Sequence, residues 1–195
     1  MKLIYRTAYM NKLASAMGTP DIKVITGIRR CGKSKLLEAF ADQIRASFPT
    51  ANIIRINFNL LEFEPLIQYR ALHDYVEKHF VEGCNNVVII DEVQMCEGFE
   101  KAINSLHASE KYDIYITGSN AFLLSNDLST LFTGRTFEVE VFPFSLAEFA
   151  QYHEITSPDE ALTRYLREGG MPGSYLYPDE RARFVYISDV LDTLV

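Results

Sequence analysis

The sequence predicts an α/β protein: a mostly parallel five-stranded sheet, covered by helices on both faces in a three-layer sandwich, followed by a short helical region. Three observations predict it. Short β-rich runs alternate with stretches of helical periodicity, the order that builds βαβ units. A glycine loop of spacing GxxxxGKS, "GIRRCGKS" from Gly27 to Ser34, stands between the first such run and the first long helix. A continuous apolar run, "NVVII", of the kind a central parallel strand shows when buried on both faces, ends in two acids, Asp91 and Glu92.

Each element follows in order. "DIKVIT" (Asp21 to Thr26) is the first strand, and Leu36, Leu37, Phe40, Ile44 and Phe48 then recur at helical spacing up to Pro49. "ANIIRINF" is the second strand. The helix after it carries Leu72, Tyr75, Val76 and Phe80 on one face and is closed by Gly83. "NVVII" is the third strand, a helix with Phe99, Ile103 and Leu106 follows, and "DIYIT" is the fourth strand. A helical stretch around "AFLLSNDLSTLF" leads to "TFEVEVF", where Phe137, Val139 and Val141 alternate with polar residues as on a half-exposed edge strand.

All five strands precede residue 143, so the chain divides into a core, 1–143, and a helical appendage, 144–195. In the appendage "SLAE" from Ser145 and "SPDE" from Ser157 carry the capping-box pattern, the second with Pro158 at the first helical position and Gly169 as a stop. The last segment places Phe184, Ile187, Leu191 and Leu194 on one stripe and ends without a stop signal, as a piece cut from a longer protein would.

Composition narrows the function. With 195 residues, 48% of them hydrophobic, the chain can bury a sizeable core, which excludes a disordered tail. No window approaches the ~20 apolar residues of a membrane span, and "MKLIYRTAYMNK" lacks the apolar region of an export signal, so a cytoplasmic location without membrane contact is expected. Three cysteines without a CxxC pair argue against a disulfide framework and a zinc cage. The formal charge of −7 disfavours a broad nucleic-acid-coating surface, while leaving room for a local basic groove.

Against that acidic background, Arg29, Arg30, Lys33 and Lys35 crowd into one loop. Gly27 and Gly32 allow successive N–H groups to turn inward at the positive end of a helix, a cradle for phosphate oxygens. The expected ligand is a nucleoside triphosphate, with Lys33 reaching its β and γ phosphates and Ser34 holding Mg²⁺. Candidate binding residues are Gly27, Ile28, Arg29, Arg30, Cys31, Gly32, Lys33, Ser34 and Lys35, with the side chains of Arg29 and Arg30 expected to point away from the phosphates. Cys31, beside a helix N-terminus and Lys33, is in surroundings that lower a thiol pKa; it is read either as reactive or as an inert small residue.

Asp91, delivered to the carboxyl edge of its strand, can orient the waters around Mg²⁺, and Glu92 can polarise the water that attacks the γ phosphate. The next strand ends in "ITGSNA", whose Thr117, Ser119 and Asn120 would lie beside Asp91; Ser119 or Asn120 serves either as a hydrogen-bonding sensor or as a turn and helix cap. Asn57 and Asn59 could restrain Glu92, or simply make a turn. Arg135, after Gly134, is either an arginine finger offered to a neighbouring subunit or a surface arginine paired with Glu138 or Glu140.

In this order the motifs "VITGIRRCGKSKLL", "VVIIDEVQ", "YITGSNAFLL", "TGRTFEVEVFPFSLAEF" and "YLREGGMPGSY" resemble the AAA+ superfamily ATPases of bacteria and archaea with a GxRRxGKS loop. The first two are common to many phosphate-loop ATPases; the "GR" to "PFSLAEF" and "GGMP" runs are more specific. The resemblance implies a P-loop NTPase core of the ASCE type with sheet order 5-1-4-3-2, then the start of a helical or winged-helix region and a further C-terminal domain. It implies ATP and Mg²⁺ as ligands, with Gly27, Gly32, Lys33 and Ser34 as the nucleotide loop. Asp91 and Glu92 become the metal and water pair, Ser119 or Asn120 the sensor, and Arg135 the finger; Gln94 in "DEVQ" matches without an evident role.

No lid arginine stands out as a second sensor, since Arg164 and Arg167 precede "GGMP" and could face solvent; assembly into a homo-oligomer therefore stays open. The expected function is Mg²⁺-dependent ATP hydrolysis driving a conformational change in an attached domain or partner, protein or nucleic acid. The rival is a nucleotide switch or interaction module with negligible turnover. A nucleotide kinase is disfavoured by the Asp91–Glu92 pair and the lack of a basic lid, and a GTPase by the lack of an NKxD-like motif.

Overall fold

The structure, a computed structural model, describes residues 4–118, 132 and 134–192. Its five strands are β1 (Ile22–Thr26), β2 (Asn52–Asn57), β3 (Asn86–Asp91), β4 (Tyr112–Thr117) and β5 (Thr136–Glu140). They lie in the order β2-β3-β4-β1-β5, the expected 5-1-4-3-2 read from the other edge, and all four pairings are parallel. Parallel strands require crossovers, and these supply the covering helices.

Alternation along each strand divides the core. Ile22, Val24, Ile54, Ile56, Val88, Ile90, Ile114 and Ile116 point to one face, where they meet Leu72 and Val76 of α3 (Tyr69–Lys78) and Phe99, Ile103 and Leu106 of α4 (Phe99–Ala108). Ile25, Val87, Ile89, Tyr115 and Val139 point to the other, against Leu36, Leu37, Phe40 and Ile44 of α2 (Lys33–Ser47) and Met10 and Leu13 of α1 (Thr7–Ser15). Every residue of β3 is buried, as its unbroken apolar run requires.

Two details depart from the periodicity. Helix α1 is an element the sequence reading did not contain: only Met10 and Leu13 mark its buried face, and Arg6 at its N-cap makes no capping side-chain bond. The helix expected around Leu66 to Phe80 is present but starts only at Tyr69, as α3, and a separate 3-10 turn, Leu61–Leu66, precedes it. Between them the chain extends at Gln68, because Ile67 accepts from the Glu97 amide at 2.6 Å and the Tyr69 amide donates to Glu97 at 3.1 Å. The helical stretch expected around "AFLLSNDLSTLF" lies almost wholly outside the described residues.

The appendage contains α5 (Leu146–His153), α6 (Pro158–Glu168), a 3-10 turn (Pro172–Leu176) and α7 (Glu180–Asp192). Ser145 and Glu148 complete a reciprocal capping box on α5. On α6 the Ser157 side chain accepts from the Glu160 amide, Pro158 opens the helix and Gly169, at φ 71°, closes it. The apolar stripe expected on the last helix is corrected: Phe184 and Leu191 are exposed, Ile187 is half-buried and Leu194 lies outside the described residues. Tyr186 and Val190 are the buried pair. A tyrosine scores low on an apolar count, yet its ring is what the neighbouring surface admits. No helix among the described residues is long and apolar enough to cross a membrane.

Candidate functional site

The loop after β1 turns into α2 through three left-handed residues, Gly27 at φ 139°, Arg30 at φ 66° and Gly32 at φ 105°. A β-carbon at Gly27 would run into the carbonyl of Val141, so the turn needs glycine for space as well as for angle. Gly32 is the N-cap of α2 and offers no side chain, leaving the first-turn N–H groups of a 15-residue helix to face the loop. Lys33, the first residue of α2, is buried, and its ammonium donates to the carbonyls of Gly27 at 2.8 Å and Ile28 at 3.1 Å. Ser34 and Lys35 are exposed, and Lys35 pairs with Glu38 at 2.5 Å.

The acids arrive from β3. Asp91 is its last residue and is buried; Glu92 follows in the left-handed region at φ 57°. Thr117 at the end of β4 joins them, donating its hydroxyl to Asp91 Oδ1 at 2.5 Å and accepting the Glu92 amide at 3.0 Å. The Glu92 carboxylate in turn accepts from the side-chain amide of Gln94 at 2.5 Å. Ser34 and Asp91 line one cavity of about 140 Å³ with Lys35, Glu38, Arg55 and Asn57. A hydroxyl and a carboxylate sharing so small a space are hard oxygen donors of the kind Mg²⁺ takes, one or two from protein and the rest from phosphate and water.

Arg29 is exposed, and the Arg30 guanidinium lies 4.9 Å from the centre of the Tyr186 ring, so Arg30 is directed toward α7. Asn57 sits opposite Asp91 in register, but its side chain accepts from the Asn59 amide at 3.0 Å, the turn of the two alternatives. Ser119 and Asn120 lie outside the described residues. Arg135 is exposed, unpaired with Glu138 or Glu140, and its carbonyl accepts from Ile22 at 2.8 Å, at the amino end of β1. The five residues of β1, about 16 Å of strand, therefore separate it from its own loop. Arg164 and Arg167 pair with Glu168 at 2.9 and 3.9 Å.

Cys31 requires a correction to its reactive reading. The side chain is fully buried, and burial pushes the thiol up despite the nearby charges of Lys33 and Arg6. Here the cost of desolvating a thiolate outweighs the favourable charges and backbone N–H groups beside it.

Arg6 was not signalled by the sequence. Buried at the N-cap of α1, it binds Glu148 through Nε at 2.8 Å and a terminal nitrogen at 2.9 Å, and donates to Phe142 O at 2.9 Å and Cys31 O at 3.4 Å. One guanidinium thus ties the backbone of the loop before α2 to the end of β5 and the start of α5.

Comparison with known proteins places this architecture. A family model described as AAA domain matches residues 19–150. The chain belongs to this family. The AAA domain protein is 33% identical, over 99% of its own length and 50% of the relative's, to an uncharacterized protein of Haemophilus influenzae. It spans about half the length of the curated relatives it matches. Among solved structures it superposes on the Walker-type ATPase PABY2304 of Pyrococcus abyssi with TM-score 0.58 at 20% identity, covering 98% of this chain and 73% of that one. On AMPPCP-bound DnaA from Aquifex aeolicus the TM-score is 0.54 at 17% identity, covering 95% and 60%. At these identities the two superpositions establish a shared fold.

Proposed function

We propose that this AAA domain binds ATP with Mg²⁺ and hydrolyses it, coupling nucleotide state to a conformational change in an attached domain or partner. The observation that carries the reading is the joined pair Asp91–Glu92, held by Thr117 at the carboxyl edge of β3, with Asp91 sharing a cavity with Ser34. Loop amides from Gly27 to Ser34 bind the polyphosphate, and Lys33 exchanges the carbonyls of Gly27 and Ile28 for β and γ oxygens. Ser34 and Asp91 are the residues for Mg²⁺, which when bound neutralises phosphate charge. Glu92 takes the proton of the attacking water, and Gln94 fixes the direction of its carboxylate. Ser119 or Asn120 reads the γ phosphate, and Arg135 is offered to the site of a second copy.

A specific observation favours a second reading. The bond from Gln94 engages the Glu92 carboxylate, and were it to persist with nucleotide bound, the protein would act as a switch with little turnover.

Calorimetric titration with ATP, ADP and GTP followed by single-turnover phosphate release separates the two. Glu92→Gln should keep ATP binding and lower hydrolysis by about 10²-fold or more, while Lys33→Ala should weaken binding itself. Unchanged turnover in Glu92→Gln removes the base assignment, and tight binding without phosphate release in the parent chain selects the switch.

A further inference from the structure

Two features are left unused by this chemistry: the left-handed Arg30 and the "GGMPG" run. They meet at one joint. The three left-handed positions of the phosphate loop are Gly27, Arg30 and Gly32, so only the middle one carries a β-carbon, in a region such residues enter at a cost. Its guanidinium lies over the ring of Tyr186 in α7 at 4.9 Å. Tyr186 is buried with Met171 and Val190, and Ile28 from the same loop packs against that cluster, giving loop and helix a second contact.

The run before α7 is shaped to permit this. A β-carbon at Gly173 would overlap the Tyr186 hydroxyl, and one at Gly170 would overlap the Phe144 carbonyl. The Gly170 carbonyl meanwhile accepts from the Phe144 amide at 2.7 Å. Gly170 thus fastens the run to Phe144 at the start of the appendage, and Gly173 lets the tyrosine ring come in close. The ring of Tyr177, just after this turn, packs tilted against Tyr186, with centroids 5.1 Å apart.

We infer that Tyr186 is a positioning residue for the phosphate loop: its ring holds Arg30 in the left-handed conformation, so that loading the loop and seating α7 favour each other. The inference rests on the reading of the loop as a nucleotide site. A side chain leaves the backbone in a direction fixed by φ and ψ, so a partner that captures the guanidinium stabilises the angles that deliver it. Coupling of this kind is reciprocal, and nucleotide binding must then tighten the hold on α7.

The test is the affinity of the 195-residue chain for Mg²⁺ with a non-hydrolysable ATP analogue, measured by calorimetry. Tyr186→Leu, which stays apolar but loses the ring, should weaken binding about fivefold, while Tyr186→Phe stays within about twofold of the parent. Adding Arg30→Gly to Tyr186→Leu should restore the affinity, because glycine enters the left-handed region unaided. Amide exchange in α7 should slow on adding the analogue to the parent and not to Tyr186→Leu. Unchanged affinity in Tyr186→Leu, or a double variant as weak as the single one, overturns the joint; a helix that merely unfolds gives the second result. A parent chain that binds no analogue sinks the nucleotide reading and the joint together, whereas a binding parent with indifferent variants sinks the joint alone.

Discussion

The hydroxyl of Thr117 bridges Asp91 and Glu92, giving its proton to the first at 2.5 Å and taking the amide of the second at 3.0 Å. Strands β3 and β4 are hydrogen-bonded neighbours, so Asp91 and Glu92 are fixed relative to each other by a residue of the next strand. Thr117→Val keeps the shape and removes both bonds. Turnover should fall about tenfold, equivalent to about 1.4 kcal/mol, and Thr117→Ser should retain most of it. Thermal melting of both variants guards against simple unfolding; equal turnover in Thr117→Val would show that the bridge does not orient the pair.

The cysteines should label in an order set by burial. Cys84 is half-buried, whereas Cys31 and Cys96 are inside the protein. Burial pushes Cys31 up, and burial together with the charges of Glu100 and Glu97 pushes Cys96 up to about 12. At pH 7.5 an alkylating reagent should modify Cys84 first, and the other two only through transient opening. Mass spectrometry of digested samples reads this directly. Cys31 reacting as fast as Cys84 would restore the activated thiol.

What the sequence disclosed follows from how local its signals are. Strand alternation, the glycine loop and the capping residues Ser145 and Ser157 each act within a few residues, and the structure holds them where the pattern puts them. Arg6 and Tyr186 were not legible because their partners are distant: Arg6 meets Glu148 across 142 positions, and Tyr186 meets Arg30 from the last helix. Gln94 could be matched to a motif but given no task; in the structure it bonds Glu92, whose backbone is left-handed. Cys31, left open between reactive and inert, is decided by burial, which its cationic sequence neighbours do not disclose.

The Arg6–Glu148 pair makes a pH prediction with a definite sign. Burial raises the Glu148 pKa, but the hydrogen bond from Arg6, the Ser145 amide and the Arg6 charge outweigh it, and the folded value lies below the usual carboxylate range. A depressed folded pKa contributes stability above the unfolded value, about 4.3, and loses it as pH falls through the folded one. Glu148→Gln should therefore cost about 2–3 kcal/mol at pH 7, and the gap from the parent should close as pH is lowered past 4. Some acid sensitivity should persist in the variant: Glu168, against whose burial the Arg164 hydrogen bond and the charges of Arg164 and Arg183 prevail, is depressed in the same way. Denaturant titrations at pH 7, 5 and 3.5 measure the gap, and a constant difference would refute the linkage.

A second buried ion pair ties β1 to β4 near their amino ends and should affect stability without touching the loop. Lys23 in β1 is 0% exposed, and its ammonium donates to Asp113 in β4 at 2.6 Å and to the Thr19 carbonyl at 2.7 Å. Asp113 also accepts from the Gly18 amide at 3.0 Å and the Tyr115 hydroxyl at 3.2 Å. Burial, then the Asp113 charge, raises the Tyr115 pKa, so the phenol stays a donor there. Lys23→Met removes the cation and leaves the carboxylate with two neutral donors in a site of low dielectric, which should cost about 3 kcal/mol. Combining it with Asp113→Leu takes away the stranded charge and should recover more than half of the loss, the signature of a pair whose desolvation nearly cancels its attraction. Since both residues lie at the amino ends of their strands, away from Gly27 and Asp91, nucleotide affinity below the melting temperature should not change. Denaturant midpoints for the two single variants and the double variant complete the cycle, and purely additive losses would mean that the two charges are not coupled.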